Sequence, residues 1–332
     1  MSIISNNINN AIALLNADEL VAIPTETVYG LAGNIFSDKA IQAIFETKKR
    51  PHFNPLIVHI NSIDYLSEIV SHIPTKAKLL ADAFWPGPIT LVLKKKSIIP
   101  DLITAGKDTV AVRVPNHPLT LELLKKLDFP LAAPSANPFN RISPTTAKHV
   151  EDYFKNDIKM VLDGGACKSG IESTIIGFKN DDPIIYRLGS TPIEAIEAVV
   201  GKVKIKNSVS KTLNKITENP SAPGMLARHY APKTKTILVD DILEAIKDHP
   251  EKRIGILSFK TEFKKEDFQI ILSKKGDLKE AASKLYNALH QLDAQNLDII
   301  IAERFPNSDL GKSINDRLLP VSYTHLTLPT KA

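Results

Sequence analysis

The chain has 332 residues, of which 43% are hydrophobic and 24% charged, with 42 Lys and Arg against 37 Asp and Glu and a formal net charge of +5. That length suits two domains better than one, and the composition excludes disordered and collagen-like chains. No apolar run approaches the ~18 residues of a membrane span, no basic-then-apolar leader opens the sequence, and the lone Cys167 excludes an internal disulfide or a cysteine-built zinc site. A soluble, cytoplasmic protein is expected.

Ile8, Ile12 and Leu15 space a short amphipathic helix over 5–16, and a buried strand over 20–23 follows, ending at Pro24. Ser37 or Asp38 caps a helix over 38–48, with Ile41, Ile44 and Phe45 on one face. A strand over 56–60 leads to a helix over 75–84, stopped by Trp85-Pro86-Gly87-Pro88. Strands over 89–93 and 110–114, a helix over 118–127, a strand over 131–133, a helix over 145–154 and a strand over 160–162 come next. Runs 174–178 and 184–187 read as a hairpin about Asp181-Asp182, and a helix over 192–200 closes the region. Beyond residue 235, strands over 236–239, 253–257 and 297–301 alternate with helices over 241–248 and 278–291, a small open α/β domain.

The charge is unevenly placed. Residues 1–205 hold 22 basic and 21 acidic side chains, residues 236–332 hold 14 and 15, and the thirty between hold six and one. All of the excess therefore sits in a Ser-, Asn-, Thr- and Pro-rich stretch without apolar periodicity: either a solvated linker or a basic strap that touches an anionic ligand. Phosphate-loop and dinucleotide fingerprints are absent, since Cys167-Lys168-Ser169 lacks both required glycines, Gly311-Lys312-Ser313 has the inner one but Pro306 at the outer position, and no G-x-G-x-x-G follows a strand. The nine histidines never take the i, i+4 spacing of a helical metal pair.

Four polar clusters remain, each where an apolar strand ends, which is where open α/β sheets bind ligands. They are Pro24-Thr25-Glu26-Thr27-Val28-Tyr29-Gly30-Leu31; Lys48-Lys49-Arg50-Pro51 with Asn54-Pro55 and the strand carrying His59; Arg113; and Pro134-Ser135-Ala136-Asn137 with Ser143-Pro144-Thr145-Thr146. Lys48 and Arg50 at a helix C-terminus either complement its dipole or form the point charge and fork that a triphosphate needs. An Arg within an apolar strand is costly unless a ligand carboxylate or an internal Asp or Glu neutralises it, so Arg113 implies one of the two. Ser135 and Asn137 are equally suited to capping a turn.

PTETVYGL, KKRPHFNPLIVHI, WPGPITLVL, TVAVRVPNHP, PLAAPSAN, GIESTI and YRLG occur in this order between Pro24 and Gly189. Together they resemble the YrdC/Sua5 family of threonylcarbamoyl-AMP synthases, and SAPGMLARHYAP with the α/β region after it resembles the linker and C-terminal domain of the longer Sua5 branch. The resemblance implies a twisted open-sheet α/β catalytic domain over 1–205, a linker over 206–235 reaching the active site, and a small Rossmann-like α/β domain over 236–319. Residues 320–332 do not fit the family's ending and are expected to be a non-native tail.

The implied reaction converts L-threonine, bicarbonate and ATP to threonylcarbamoyl-AMP and pyrophosphate, for the threonylcarbamoyladenosine at position 37 of tRNAs. By the resemblance, Thr27, His59, Arg113, the Ala133 backbone and Ser173 line a threonine pocket. Lys48, Arg50, Asn54, Thr109, Ser135, Asn137, Ser143 and Arg187 hold ATP, with His229 and Tyr230 reaching in from the linker. Lys48 and Arg50 are the expected catalytic groups, acting by charge stabilisation with Mg²⁺ that the phosphates themselves carry. Partner proteins would transfer the product to tRNA, and tRNA contact is a further expectation. Lys49 stands where the family often has a small residue such as Gly. The competing readings are a non-catalytic RNA-binding protein, disfavoured by only 6% aromatic residues, and a paralogue acting on a different carbamoyl-adenylate.

Overall fold

The computed structural model describes residues 3–206, 231–263 and 268–323. Strand β1 (Ile3–Ser5) precedes helix α1 (Ile8–Asn16), which starts where the Asn7 side chain accepts the Asn10 N–H. The helix expected from residue 5 therefore begins later, because the first residues pair with a strand from far along the chain. Strand β2 (Val21–Ile23) runs antiparallel to β3 (Gly30–Asn34), making the Thr-rich cluster between them their connection. The Gly- and Ala-rich β3 has little strand propensity of its own; pairing on both edges holds it.

Helix α2 (Asp38–Lys48) is capped by Ser37 and leads to β4 (Ile57–His59), α3 (Leu66–Ile69), α4 (Thr75–Phe84) and β5 (Ile89–Lys94). Next come α5 (Asp101–Thr104), β6 (Thr109–Arg113), α6 (Pro118–Lys126), β7 (Leu131–Ala132), α7 (Ala147–Phe154) and β8 (Met160–Leu162). The expected hairpin is β9 (Thr174–Lys179) against β10 (Asp182–Arg187), followed by α8 (Ile193–Val200) and β11 (Lys204–Ile205). These strands form one mixed sheet of eleven, ordered β1-β8-β2-β3-β7-β4-β6-β5-β9-β10-β11.

Two-residue alternation gives this sheet its functional face. Along β6, Val110 and Val112 enter the main core with Val58 of β4, against side chains of α2, α4, α7 and α8. Ala111 and Arg113 therefore point the other way, as do Ile57 and His59 on β4. The parallel register sets Ile57 beside Ala111 and His59 beside Arg113.

The second sheet has four parallel strands, β12 (Lys235–Val239), β13 (Ile254–Ser258), β14 (Gln269–Ile271) and β15 (Ile299–Glu303), ordered β12-β15-β13-β14. Helices α9 (Ile242–Lys247), α10 (Leu278–Asp293) and α11 (Asp309–Tyr323) complete it. This is the small α/β domain expected, with β14 and α11 added. Helix α11 continues into the segment 320–332 that was read as a foreign tail, and residues 324–332 lie outside the described residues. Most of the basic segment, 207–230, also lies outside them. Its far end is anchored: Ala231 N–H donates to Asn140 O at 2.9 Å, and the N–H groups of Lys233 and Thr234 donate to the Asp293 carboxylate at 3.0 and 2.8 Å.

Candidate functional site

On the face of the sheet away from the main core lies a cavity of about 710 Å³, open to solvent. Its floor is β4 and β6, through Ile57, His59 and Arg113. Thr27, Gly30 and Ala133 form one side, and Ser173 with Arg187 the other. Lys48, Arg50, Ser135 and Asn137 also line it, so ten of the residues expected at the site meet there. A Cβ on Gly30 would come within 3.0 Å of the Ala133 side chain, so only glycine lets β3 approach this wall so closely.

Arg113 is 3% exposed, and the carboxylate its burial demanded is Glu26, which meets its Nη2 at 2.7 Å as an ion pair without hydrogen-bond alignment. The guanidinium also donates from Nη1 to Thr27 Oγ1 at 2.9 Å and from Nε to Gly87 O at 3.1 Å. Thr27 is itself placed by a tight turn in which the Thr25 hydroxyl donates to Val28 O at 2.7 Å and accepts the N–H groups of Thr27 and Val28. His59, in register beside Arg113, is neutral: burial and then the Arg113 charge lower its pKa to about 3.

Lys48 closes α2, donating Nζ to the carbonyls of Ser135 and Asn137. Those bonds fix the loop after β7 against the helix end, and Phe139 N–H returns to Lys48 O at 2.7 Å. Burial first and Arg50 second push the Lys48 pKa well below its ordinary value. Arg50 donates Nε to Asn54 O at 3.2 Å and Nη2 to Pro55 O at 2.8 Å, which explains the Asn54-Pro55 turn after the helix. Lys49 between them is the C-cap, at φ 51° in the left-handed region that glycine adopts most freely, which accounts for a small residue being common there. Arg187 is held by Ser173, whose carbonyl accepts Nε at 3.2 Å and Nη2 at 2.8 Å and whose hydroxyl lies 3.1 Å from Nη2.

Among the described residues, four lining cations thus face one lining carboxylate, Glu172. Several buried polar atoms here have no hydrogen-bond partner among the described residues: His59 Nδ1, Asn137 Oδ1, Asn140 Oδ1 and both ends of the Asn54 amide. Such atoms are rare in native interiors, and the three in the cavity lining, on His59, Asn137 and Asn140, make it a candidate site for a polar ligand. Three expected ATP contacts do not line the cavity. Thr109 shares the Arg113 face of β6 but sits four residues along it, about 13 Å away. Asn54 is fully buried, and the Ser143 hydroxyl is turned inward, donating to Glu172 at 2.7 Å. His229 and Tyr230 lie outside the described residues.

Sequence reasoning missed Glu26 as the partner of Arg113 and Glu172 as a lining group, although both stand inside quoted motifs. The available signal was that each is a lone acid in a short, otherwise uncharged segment. Among the described residues there is no cluster of three His, Cys, Asp or Glu that would hold a metal ion.

A family model described as "Telomere recombination" (Sua5_yciO_yrdC) matches residues 13–189, and another described as "Threonylcarbamoyl-AMP synthase, C-terminal domain" matches residues 191–319. The chain is 39% identical over 320 residues to a threonylcarbamoyl-AMP synthase of Pyrococcus abyssi, covering 94% of this chain and 93% of that protein. It is 40% identical over 323 residues to one of Bacillus subtilis, covering 94% and 92%. The crystal structure of P. abyssi Sua5 complexed with L-threonine matches with a TM-score of 0.89 and 37% identity, over 97% of this chain and 98% of that one.

Proposed function

Because the chain belongs to the Sua5–YciO–YrdC family and carries the Sua5 C-terminal domain, we propose that it makes L-threonylcarbamoyl-AMP from L-threonine, bicarbonate and ATP. The observation that carries this reading is a single cavity holding two distinct cationic groups, Arg113 beside neutral His59 and Lys48 beside Arg50. One suits an amino-acid carboxylate next to an uncharged hydrogen-bonding ring, the other a polyphosphate.

The threonine amine and bicarbonate combine to a carbamate with loss of water. A carbamate oxygen then attacks the α-phosphorus as pyrophosphate leaves, so no protein nucleophile is required. Arg113 and Thr27 orient the amino acid, and His59, being neutral, adds no competing charge beside its amine. Lys48, Arg50 and Arg187 stabilise charge on the triphosphate; an anion between Lys48 and Arg50 also removes the repulsion that lowers the Lys48 pKa. Mg²⁺ would enter with the nucleotide, because the one lining carboxylate among the described residues, Glu172, is committed to protein donors. Asn54, Thr109 and Ser143 reach ATP only through rearrangement or a longer path than the cavity wall. The basic segment with His229 and Tyr230 is assigned to covering the nucleotide, consistent with the anchoring of Ala231 at Asn140, a lining residue.

The product would pass to proteins that modify position 37 of tRNA, in the cytoplasm; no helix among the described residues is long and apolar enough to cross a membrane. An RNA-binding role gains nothing from the cavity, where Phe139 is the only benzene ring among the described lining residues. The test is pyrophosphate release from ATP, expected to require both threonine and bicarbonate. Release indifferent to threonine overturns the assignment, and a preference for another amino acid establishes the paralogue.

A further inference from the structure

The C-terminal domain places no described residue in the cavity lining, yet its helices grip the two strand ends that carry Arg187 and Ser173. Arg317 on α11, 1% exposed, donates Nε to Glu172 Oε2 at 2.7 Å and Nη2 to Leu188 O at 2.5 Å. Ser313, one turn earlier, donates to Gly189 O at 2.8 Å. Tyr286 on α10 donates to the same carboxylate at 2.9 and 3.0 Å, and Ser143 donates to its Oε1 at 2.7 Å. Glu172 precedes Ser173, and Leu188 and Gly189 follow Arg187, so α11 holds both sides of the Arg187–Ser173 contact.

The packing leaves no slack, either between the domains at Gly170 or within the first domain at Gly189. A Cβ on Gly170 would fall 2.3 Å from the Ser283 carbonyl of α10, and one on Gly189 would fall 2.4 Å from the Ser173 backbone. Burial would raise the Glu172 pKa, but Arg317 first and Arg187 second hold it below its ordinary value. Arg187 is thus the next cation available to this carboxylate.

We propose that Arg317 is a positioning residue for the reaction: by occupying the Glu172 carboxylate and the Leu188 carbonyl, it keeps Arg187 seated on Ser173 and aimed into the cavity. The C-terminal domain is in this sense part of the nucleotide site. Removing the Arg317 charge leaves Glu172 a buried anion whose nearest remedy is Arg187, and pairing with it draws the guanidinium away from the ligand. A simple staple between domains has no such consequence.

This inference rests on the activity proposed above, so pyrophosphate release by the unaltered protein is measured first; if it fails, ATP-binding titrations of the same variants still carry the test. Arg317→Gln is expected to lower kcat/KM for ATP on the order of 100-fold, as a misplaced contact group does. Arg187→Ala should do the same, and the double variant should be no worse than Arg187→Ala alone within about threefold. Glu172→Gln added to Arg317→Gln should restore about tenfold of the loss, because a neutral amide no longer captures Arg187. Fully additive losses, or a Glu172→Gln/Arg317→Gln variant worse than Arg317→Gln, overturn the proposal. Should Arg317→Gln fail to fold, the Glu172→Gln/Arg317→Gln variant decides alone, since it leaves no buried anion at position 172 and only the part-exposed Asp316 without its Arg317 partner: activity within about tenfold of the unaltered protein supports the proposal, and a loss matching Arg187→Ala refutes it.

Discussion

Replacing Arg113 tests the amino-acid half of the site most directly. The Arg113–Glu26 contact of 2.7 Å corresponds to a gross attraction of about 6 kcal/mol at an effective dielectric of ~20. Desolvation offsets much of this, and breaking such a pair from one side costs about 3–5 kcal/mol because the other charge stays buried. Arg113→Ala should therefore destabilise the fold by that amount and also remove the proposed partner of the threonine carboxylate, a further loss in binding of about 2–5 kcal/mol. Arg113→Met with Glu26→Gln separates the two effects: with no charge left unpaired, stability should return to within about 2 kcal/mol of the starting value. Threonine binding should stay at least about thirtyfold weaker, while ATP binding, proposed above to rest on Lys48, Arg50 and Arg187, should change by less than about fivefold. Calorimetric titration with each ligand, beside denaturant unfolding, reads all three quantities. Equal loss of threonine and ATP in a variant of restored stability would refute the assignment of Arg113.

Further outcomes follow from single features of the site. His59 is lowered to about 3 in the fold against about 6.5 unfolded, so between those values the unfolded chain binds the extra proton and stability rises with pH. Its contribution is full above about pH 6.5 and falls by up to about 1.4 kcal/mol per pH unit below it; His59→Gln should reduce that acid slope in denaturant unfolding, and an unchanged slope contradicts the neutral assignment. Asn54 is fully buried with both amide ends unpartnered among the described residues, so Asn54→Leu should leave stability unchanged or raise it by about 1–2 kcal/mol; a destabilised variant would mean the amide has a structural partner. Lys49 at φ 51° sits where glycine is unstrained, and Lys49→Gly should raise thermal stability by about 1 kcal/mol without altering the ATP KM.

Local chemistry made much of the molecule legible in the sequence. The helix over 38–48 was exact because Ser37 caps it and Pro51 forbids continuation, and the strand carrying Arg113 followed from its Val-Ala-Val alternation. The sheet partners of weak segments were not legible. Strand β3 is Gly and Ala rich and forms only between two neighbours, while β1 pairs with residues 160–162, information that no local window contains.

The motifs named the side chains expected to carry the chemistry, and ten of them line one cavity, because the segments that bear them, strand ends and the end of α2 alike, open onto the same face of the sheet. What only the tertiary structure decided is who neutralises whom. Buried charge is resolved by partners distant in sequence: Glu26 for Arg113, 87 positions apart, and Arg317 for Glu172, 145 apart. Charge counting puts the +5 in residues 206–235 without choosing between linker and strap; the structure adds that the described cations lining the cavity come from the nearly neutral first domain, where folding brings Arg113 and Arg187 to the run that holds Lys48 and Arg50.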